Sequence, residues 1–371
     1  MARPSVTSGL KWSLCIPLRA STQRLTLLAI FLVTLDLSTY AQPFKIMVAG
    51  DGRADYPDPN DLNRQLSPRV EDKSGFNDTI NSEISKQVQE EKADMLLWTG
   101  DIVNVNYMAG SQPGDKTKFF KDGLNAWRKI MEPLYKNHVK VLPTRGNHEV
   151  IWYDESQKAH RILDAKKIWT ELFSGPYAPL ATDFDPQHLS FYYVQGSVLM
   201  IGLDQYENEY DDHRVNQEWL EAVLKKETKP FIFAYGHEPA FATGGRHPPA
   251  ESLAAFPDER DKMWKTLSDA GAQIYLCGHD HFYDRMRVRF AKGGYEMWQI
   301  TAGTAGAPFY CTGEYPDDKN WRLEREKHLD FVYGYLLITI DRNKATVEFK
   351  GRDLDGQYRT KDSFGYTAKS R

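Results

Sequence analysis

An α/β fold built on a parallel sheet is what this sequence predicts. Three observations carry the expectation. Short apolar runs of strand length recur along the chain, helical apolar periods fall between them, and most runs stop at a glycine beside a polar residue. Residues 45–49 form the first run and stop at Gly50-Asp51-Gly52. A polar loop rich in Pro and Asp covers 54–75, and Ile80, Ile84 and Val88 then share one helical face. Residues 95–99 are the second strand and end on Gly100-Asp101. A helix over 117–135 carries Phe120, Leu124, Trp127 and Ile130, and a third strand over 139–143 leads to Gly146-Asn147-His148-Glu149. That alternation implies a parallel βαβαβ sheet, and open α/β sheets place their sites at the carboxyl ends of the strands.

The second half repeats the logic more loosely. Strands over 189–194 and 197–203 turn at Gln195-Gly196, and a helix follows over 215–226. A strand over 230–235 ends on Gly236-His237-Glu238, a helix covers 258–270, and a strand over 272–277 ends on Gly278-His279-Asp280-His281. Late strands cover 296–301, 335–341 and 345–351, the last two joined as a hairpin. No low-complexity linker interrupts 42–371, so this stretch reads as a single domain.

Composition narrows the class. Lys and Arg number 47 against 51 Asp and Glu, a net charge of −4, which disfavours a nucleic-acid scaffold or a polybasic membrane protein. Hydrophobic residues make up 41% of the chain, enough to close a core. Residues 1–41 differ in character: basic residues lead into an apolar stretch over 25–37, and small residues flank a cut after Ala41. This is the layout of a cleaved secretory signal, so the protein is expected to be secreted or periplasmic, with no stable membrane span. Export leaves Cys277 and Cys311 either as one disulfide or as two buried thiols. Asn77-Asp78-Thr79 is a glycosylation triplet only in a host that glycosylates.

The polar residues at five strand ends carry the chemistry: Asp51, Asp101, Asn147 with His148, His237, and His279 with His281. Any one Gly-Asp or Gly-His pair is weak evidence, since an isolated histidine is usually a core or surface residue. Five in series are not chance. Oxygen ligands with imidazoles suit Fe, Mn or Zn, and no cysteine cluster argues for a structural zinc site. The candidates exceed the needs of one ion and fit a pair that shares a carboxylate.

In order and spacing these blocks resemble the calcineurin-like metallophosphoesterase superfamily over about 44–290. The block from Gly278 to Arg285 is similar to that of its purple acid phosphatase-like branch. The resemblance implies a four-layer α/β/β/α sandwich of two mixed sheets. It implies that Asp101 bridges two divalent or trivalent ions, that Asp51 and His281 hold the first, and that Asn147, His237 and His279 hold the second. His148 then serves the substrate as proton donor or charge stabiliser, and Glu149 supports the ligands from behind. Such a pair lowers the pKa of a bridging water and clamps phosphoryl oxygens for in-line attack on a small-molecule phosphate ester. Hydrolysis of monoesters is the expected reaction; the alternatives are a phosphodiesterase or nucleotide pyrophosphatase, or a non-catalytic metal-binding protein on the same fold.

Two departures stand out. Many relatives have Asp-x-His at the first block, where this chain has Arg53, a permanent cation that cannot ligate. Arg53 reads either as a substrate-phosphate ligand or as a salt-bridge partner of a carboxylate such as Asp55. Purple acid phosphatases supply a Tyr three residues after the bridging Asp, where this chain has Asn104. Asn104 either lends a carbonyl oxygen to the first ion or orients His148, so the first ion is expected to be held loosely. Arg246 and His247 line the cleft or sit on a solvated loop, and Tyr206 and Tyr210 belong to a loop that shapes specificity. The stretch from Gly303 to Gly306 reads as a turn rather than a phosphate cradle.

Overall fold

Side-chain alternation decides how the first strand is used. In β1 (Phe44–Ala49) Ile46 and Val48 face one way, Met47 and Ala49 the other, and all four are buried, so the strand needs cover on both sides. The structure, a computed structural model, describes residues 43–54, 75–107, 112–154, 156, 158–174, 183–184, 189–206 and 212–368. The export-signal reading of 1–41, most of the polar loop over 54–75, Asp55, His188 and Tyr210 lie outside them.

After β1 come β2 (Met95–Trp98), β3 (Lys140–Pro143), β4 (Ile151–Tyr153), β5 (Ala159–Arg161) and β6 (Asp183–Phe184). Next are β7 (Phe191–Gln195), β8 (Val198–Gly202), β9 (Phe231–Tyr235), β10 (Ile274–Cys277), β11 (Tyr283–Phe290) and β12 (Glu296–Ala302). The last are β13 (Trp321–Leu329), β14 (Gly334–Asp341), β15 (Lys344–Arg352) and β16 (Tyr358–Thr367). The helices are α1 (Asp78–Glu90), α2 (Pro113–Ile130), α3 (Glu132–Lys136), α4 (Ala165–Phe173), α5 (Gln217–Lys226) and α6 (Pro257–Asp269). One sheet has the order β16-β15-β14-β1-β2-β3, the other β13-β11-β12-β10-β9-β8-β7-β6. β1, β2 and β3 are parallel, as are β8, β9, β10 and β12, and antiparallel strands flank both sets.

Three apolar clusters define the layers. Ile46, Val48, Leu97 and Ile338 of the first sheet meet Met200, Phe233, Leu276 and Ile300 of the second. On the outer side of the first sheet, Met47, Leu96 and Trp98 pack against Ile84, Leu124 and Trp127 of α1 and α2. On the outer side of the second, Ile201, Ile232 and Tyr275 pack against Leu220 of α5 and Trp264 of α6. The layers are therefore α/β/β/α, as the resemblance implies.

The expected helix over 117–135 is two helices. Pro133 lies in the first turn of α3, where its missing N–H breaks no bond, and Met131 is the junction. The hairpin of β7 and β8 turns one residue later than expected, because Gln195 pairs with Val198 and Gly196 takes a φ of 57°. β11, β13 and β16 were not expected. Their alternating charges disguise them; within the second sheet Arg287 meets Glu296 at 2.9 Å and Arg289 meets Glu324 at 2.7 Å, and Arg285 of β11 reaches Asp362 of β16 in the other sheet at 2.8 Å. Asn77 is buried and caps α1, accepting from the Ile80 N–H at 3.1 Å and donating to the Gly306 carbonyl at 3.0 Å, so the folded chain cannot present it for glycosylation. Cys277 is buried and Cys311 exposed, and no disulfide joins them.

Asp284, in the block after His281, organises the far side of the second sheet. It accepts from Arg325 at 3.1 Å and from His328 at 2.9 Å, and His328 also contacts Asp330 at 2.8 Å. Burial alone would lower the His328 pKa, but hydrogen bonds to the Asp284 and Asp330 carboxylates raise it above the ordinary value. A raised histidine stabilises fully below its unfolded pKa, about 6.5, and that contribution is lost as pH rises through the folded value. The expected outcome is a Tm that falls with pH above about 6.5, with a smaller slope in His328→Gln. Equal slopes for the two proteins would refute it.

Candidate metal centre

All the expected ligands stand where parallel strands end. Asp51 follows β1, Asp101 follows β2, Asn147 and His148 follow β3, His237 follows β9, and His279 and His281 follow β10. Asp51, Asp101 and His279 have φ of 58°, 53° and 70°, the left-handed region that non-glycine residues seldom occupy. The expected ligands themselves, and not only the neighbouring glycines, therefore make the sharp turns. Glycine is needed beside them for close approach. A Cβ on Gly278 would stand 2.1 Å from Asp51 Oδ2, and one on Gly146 would stand 2.2 Å from Asp101 Oδ1.

His237, His279 and Asn147 converge. His237 Nδ1 lies 2.8 Å from the Thr99 carbonyl and His279 Nε2 lies 2.9 Å from that of Glu251. A carbonyl only accepts, so these nitrogens carry the protons, and His237 Nε2 and His279 Nδ1 present lone pairs. Those two atoms are 3.0 Å apart, and His237 Nε2 is 3.1 Å from Asn147 Oδ1 and 3.4 Å from Asp101 Oδ1. Burial, then the neighbouring His247, His237 and His281, hold His279 well below the ordinary imidazole pKa, so it stays neutral. Acceptors in mutual contact repel unless a cation lies among them. This donor set fits a borderline divalent ion.

Asp51, Asp101 and His281 form a second group, whose ligand atoms lie within 4.8 Å of one another. The Pro308 carbonyl fixes His281 through Nδ1, which leaves Nε2 facing Asp51 at 3.6 Å. Here a donor is present. Arg53 is 3% exposed, and its Nε reaches Asp101 Oδ2 at 3.1 Å. Its Nη2 stands 3.4 Å from His281 Nε2 and donates to Tyr310 Oη at 3.2 Å. Arg53 thus meets the carboxylate expected to bridge.

Charges sort the two carboxylates. Burial raises Asp101, but His237, His148 and Arg53 outweigh it and hold the group at about 2. Burial and then the Asp101 charge push Asp51 well above the usual range, against the pull of Arg53. Asp101 is thus the ready anion of the pair, and Asp51 favours its neutral form.

Glu149, which the resemblance puts behind the ligands, is fully buried and binds four backbone N–H groups. One oxygen accepts from Asp101 at 2.8 Å and Gly146 at 2.7 Å, the other from Ile102 at 2.8 Å and Val103 at 3.1 Å. It therefore ties the Asp101 loop to the Asn147 loop. Burial, then Asp101, push it up to about 8 while these N–H groups pull downward. With donors on both oxygens, the loop is built around the carboxylate form. His148 donates its backbone N–H to Asp101 Oδ1 at 3.2 Å and holds its ring 3.9 Å from Oδ2. The side-chain oxygen of Asn104 accepts from the Asn106 N–H at 2.9 Å.

Several positioning groups had no signal in the sequence. The carbonyls of Thr99, Glu251 and Pro308 orient three imidazoles, and Tyr310 stacks on His281 at 3.9 Å. His247 stacks on His279 at 3.8 Å and Arg246 lies over the Tyr310 ring at 5.2 Å, so both belong to the cleft. Tyr206 is buried behind His237 at 6.5 Å. The Ala305 and Ala307 N–H groups bond the carbonyls of Gly50 and Asp51, so the loop after β12 braces the first ligand and does not cradle phosphate.

Two facing mixed sheets, with carboxylates and imidazoles gathered at their strand ends, define a protein of the metallophosphoesterase class. Residues 44–283 match the model described as calcineurin-like phosphoesterase, and 296–363 that of iron/zinc purple acid phosphatase-like protein C. The chain belongs to the calcineurin-like phosphoesterase family, hydrolases that act on phosphate esters. No curated protein matches it. Its structure is similar to purple acid phosphatase PPD1 from yellow lupin (Lupinus luteus) seeds, at 15% identity and a TM-score of 0.60, over 88% of this chain and 54% of that one. The chain thus spans about half the length of the lupin protein. It is similar to a dimetal phosphatase from Danio rerio, at 13% identity and a TM-score of 0.54, over 88% and 99% of the two chains. A third likeness is to GAP50, the anchor in the inner membrane complex of Plasmodium, at 14% identity and a TM-score of 0.52, over 89% and 90%. At these identities the likeness is one of fold. Among the described residues no helix is long and apolar enough to cross a membrane.

Proposed function

We propose that the chain is a metal-dependent phosphatase of small-molecule phosphate monoesters. The observation that carries this reading is the convergence of His237 Nε2, His279 Nδ1 and Asn147 Oδ1 beside Asp101, with the His148 ring at the edge of the same group. Asp101, Asn147, His237 and His279 would hold a divalent ion, whose charge lowers the pKa of water and polarises a phosphoryl oxygen. His148, whose ring stands 3.9 Å from Asp101, would serve as proton donor to the oxygen that leaves. Arg53 and Arg246 add positive charge around the cleft, which favours a phosphoryl group with two negative charges over a diester with one. Export is part of the reading: the basic-to-apolar stretch over 1–41 supports a protein that works outside the cytoplasm with Gln42 as its first residue, which intact mass of the exported protein checks.

Turnover of an aryl phosphate monoester and the matching diester tests the function, with the chain stripped by chelator and reloaded with Mn, Zn or Fe. The monoester should be preferred by about tenfold or more and its turnover lost on stripping. A diester preference would move the substrate class to phosphodiesters. No turnover with any of the three metals would favour a binding protein on this fold.

A further inference from the structure

The two halves of the centre differ in one respect. At Asn147, His237 and His279 acceptors meet acceptors. At Asp51, Asp101 and His281 a cation is built into the chain. We propose that Arg53 is the resident positive charge of this first pole, so that the protein takes one metal ion per chain, at Asp101, Asn147, His237 and His279, where its resemblance implies two.

Arg53 addresses the atoms a first ion would need. Its Nε donates to Asp101 Oδ2 at 3.1 Å, and its Nη2 faces His281 Nε2 at 3.4 Å. His281 has no other lone pair to offer, since Nδ1 is committed to the Pro308 carbonyl. Tyr310 holds the arrangement from the far side: its hydroxyl accepts from Nη2 at 3.2 Å and its ring stacks on His281. Asp51 and Asp101 are the carboxylates of this pole, and both are buried. An ion here would compete with a 3% exposed guanidinium for two acceptor atoms, and two cations would share a weakly screened space. A guanidinium keeps its charge and cannot shed it to admit an ion. The pole therefore keeps a fixed positive charge at any working pH, whatever the metal supply.

This rests on the reading of the His237–His279 half as a metal site, and the test separates the two. The chain, Arg53→His, Arg53→Ala and Arg53→Lys are saturated with Mn(II), freed of excess ion by gel filtration, and compared by metal per chain and by electron paramagnetic resonance. The wild type and Arg53→Lys should hold one ion with the hyperfine pattern of isolated Mn(II). Arg53→His should hold two, with an exchange-coupled spectrum, and Arg53→Ala covers the case in which the histidine variant does not fold. Adding His281→Ala should leave the wild type at one ion and return Arg53→His to one. Two coupled ions in the wild type would overturn the proposal, as would a single ion in a folded Arg53→His. If neither the wild type nor Arg53→His takes any ion, the metal reading itself fails and the proposal with it.

Discussion

His148→Ala is expected to lower kcat for a phosphate monoester by about 10²–10⁴-fold, the usual worth of a positioned proton donor. KM and metal content should stay close to wild type. The reason lies in position: the His148 ring stands 3.9 Å from Asp101, outside the contacts that join His237, His279 and Asn147. Its backbone N–H, which the substitution keeps, already holds Asp101 Oδ1 at 3.2 Å, so the loop need not move. The loss should also depend on the leaving group. An ester of an acidic phenol departs without a proton and should suffer least, whereas an alkyl ester should suffer most. Equal losses for both esters would assign His148 to charge stabilisation and take the proton away from it.

Glu149→Ala is expected to destabilise the folded chain by about 3–5 kcal/mol, with a fall in Tm of roughly 5–10 °C. Four backbone N–H groups, those of Asp101, Ile102, Val103 and Gly146, lose their acceptor in a fully buried place. Glu149→Gln should rescue little, because its amide turns a donor toward two N–H groups. Denaturant unfolding of the three proteins measures this. A glutamine variant as stable as wild type would show that Glu149 is held in its protonated form.

Much of this centre was legible because its expected ligands follow β-strands buried on both faces. Such strands read as apolar runs, and a polar residue at their carboxyl end is conspicuous. Asp51, Asp101, Asn147, His237, His279 and His281 all announce themselves this way. The rest depends on long-range contact. Nothing near Arg53 in sequence indicates that its partners are Asp101, 48 residues on, and His281, 228 residues on. Asp55, the neighbour first considered, lies outside the described residues. Tyr310 sits in a loop without a motif, and the carbonyls that set the imidazole tautomers have no side-chain signature. β11 and β13 lack a clear apolar signal for a different reason. β11 carries Arg285, Arg287 and Arg289 on alternate residues, and Arg287 and Arg289 form ion pairs with Glu326 and Glu324 of β13, so the period of two is there but the apolar signal is halved.

Metal binding by the His237–His279 group of the folded protein is measured by the shift in Tm on adding a divalent ion to the metal-free chain, set beside the same titration of His237→Ala. An ion bound only by the folded state adds about 2.7 kcal/mol at a hundredfold excess over its Kd. A concentration-dependent rise in the wild type, absent from His237→Ala, is the predicted result. An equal rise in both proteins, or none in either, would contradict it.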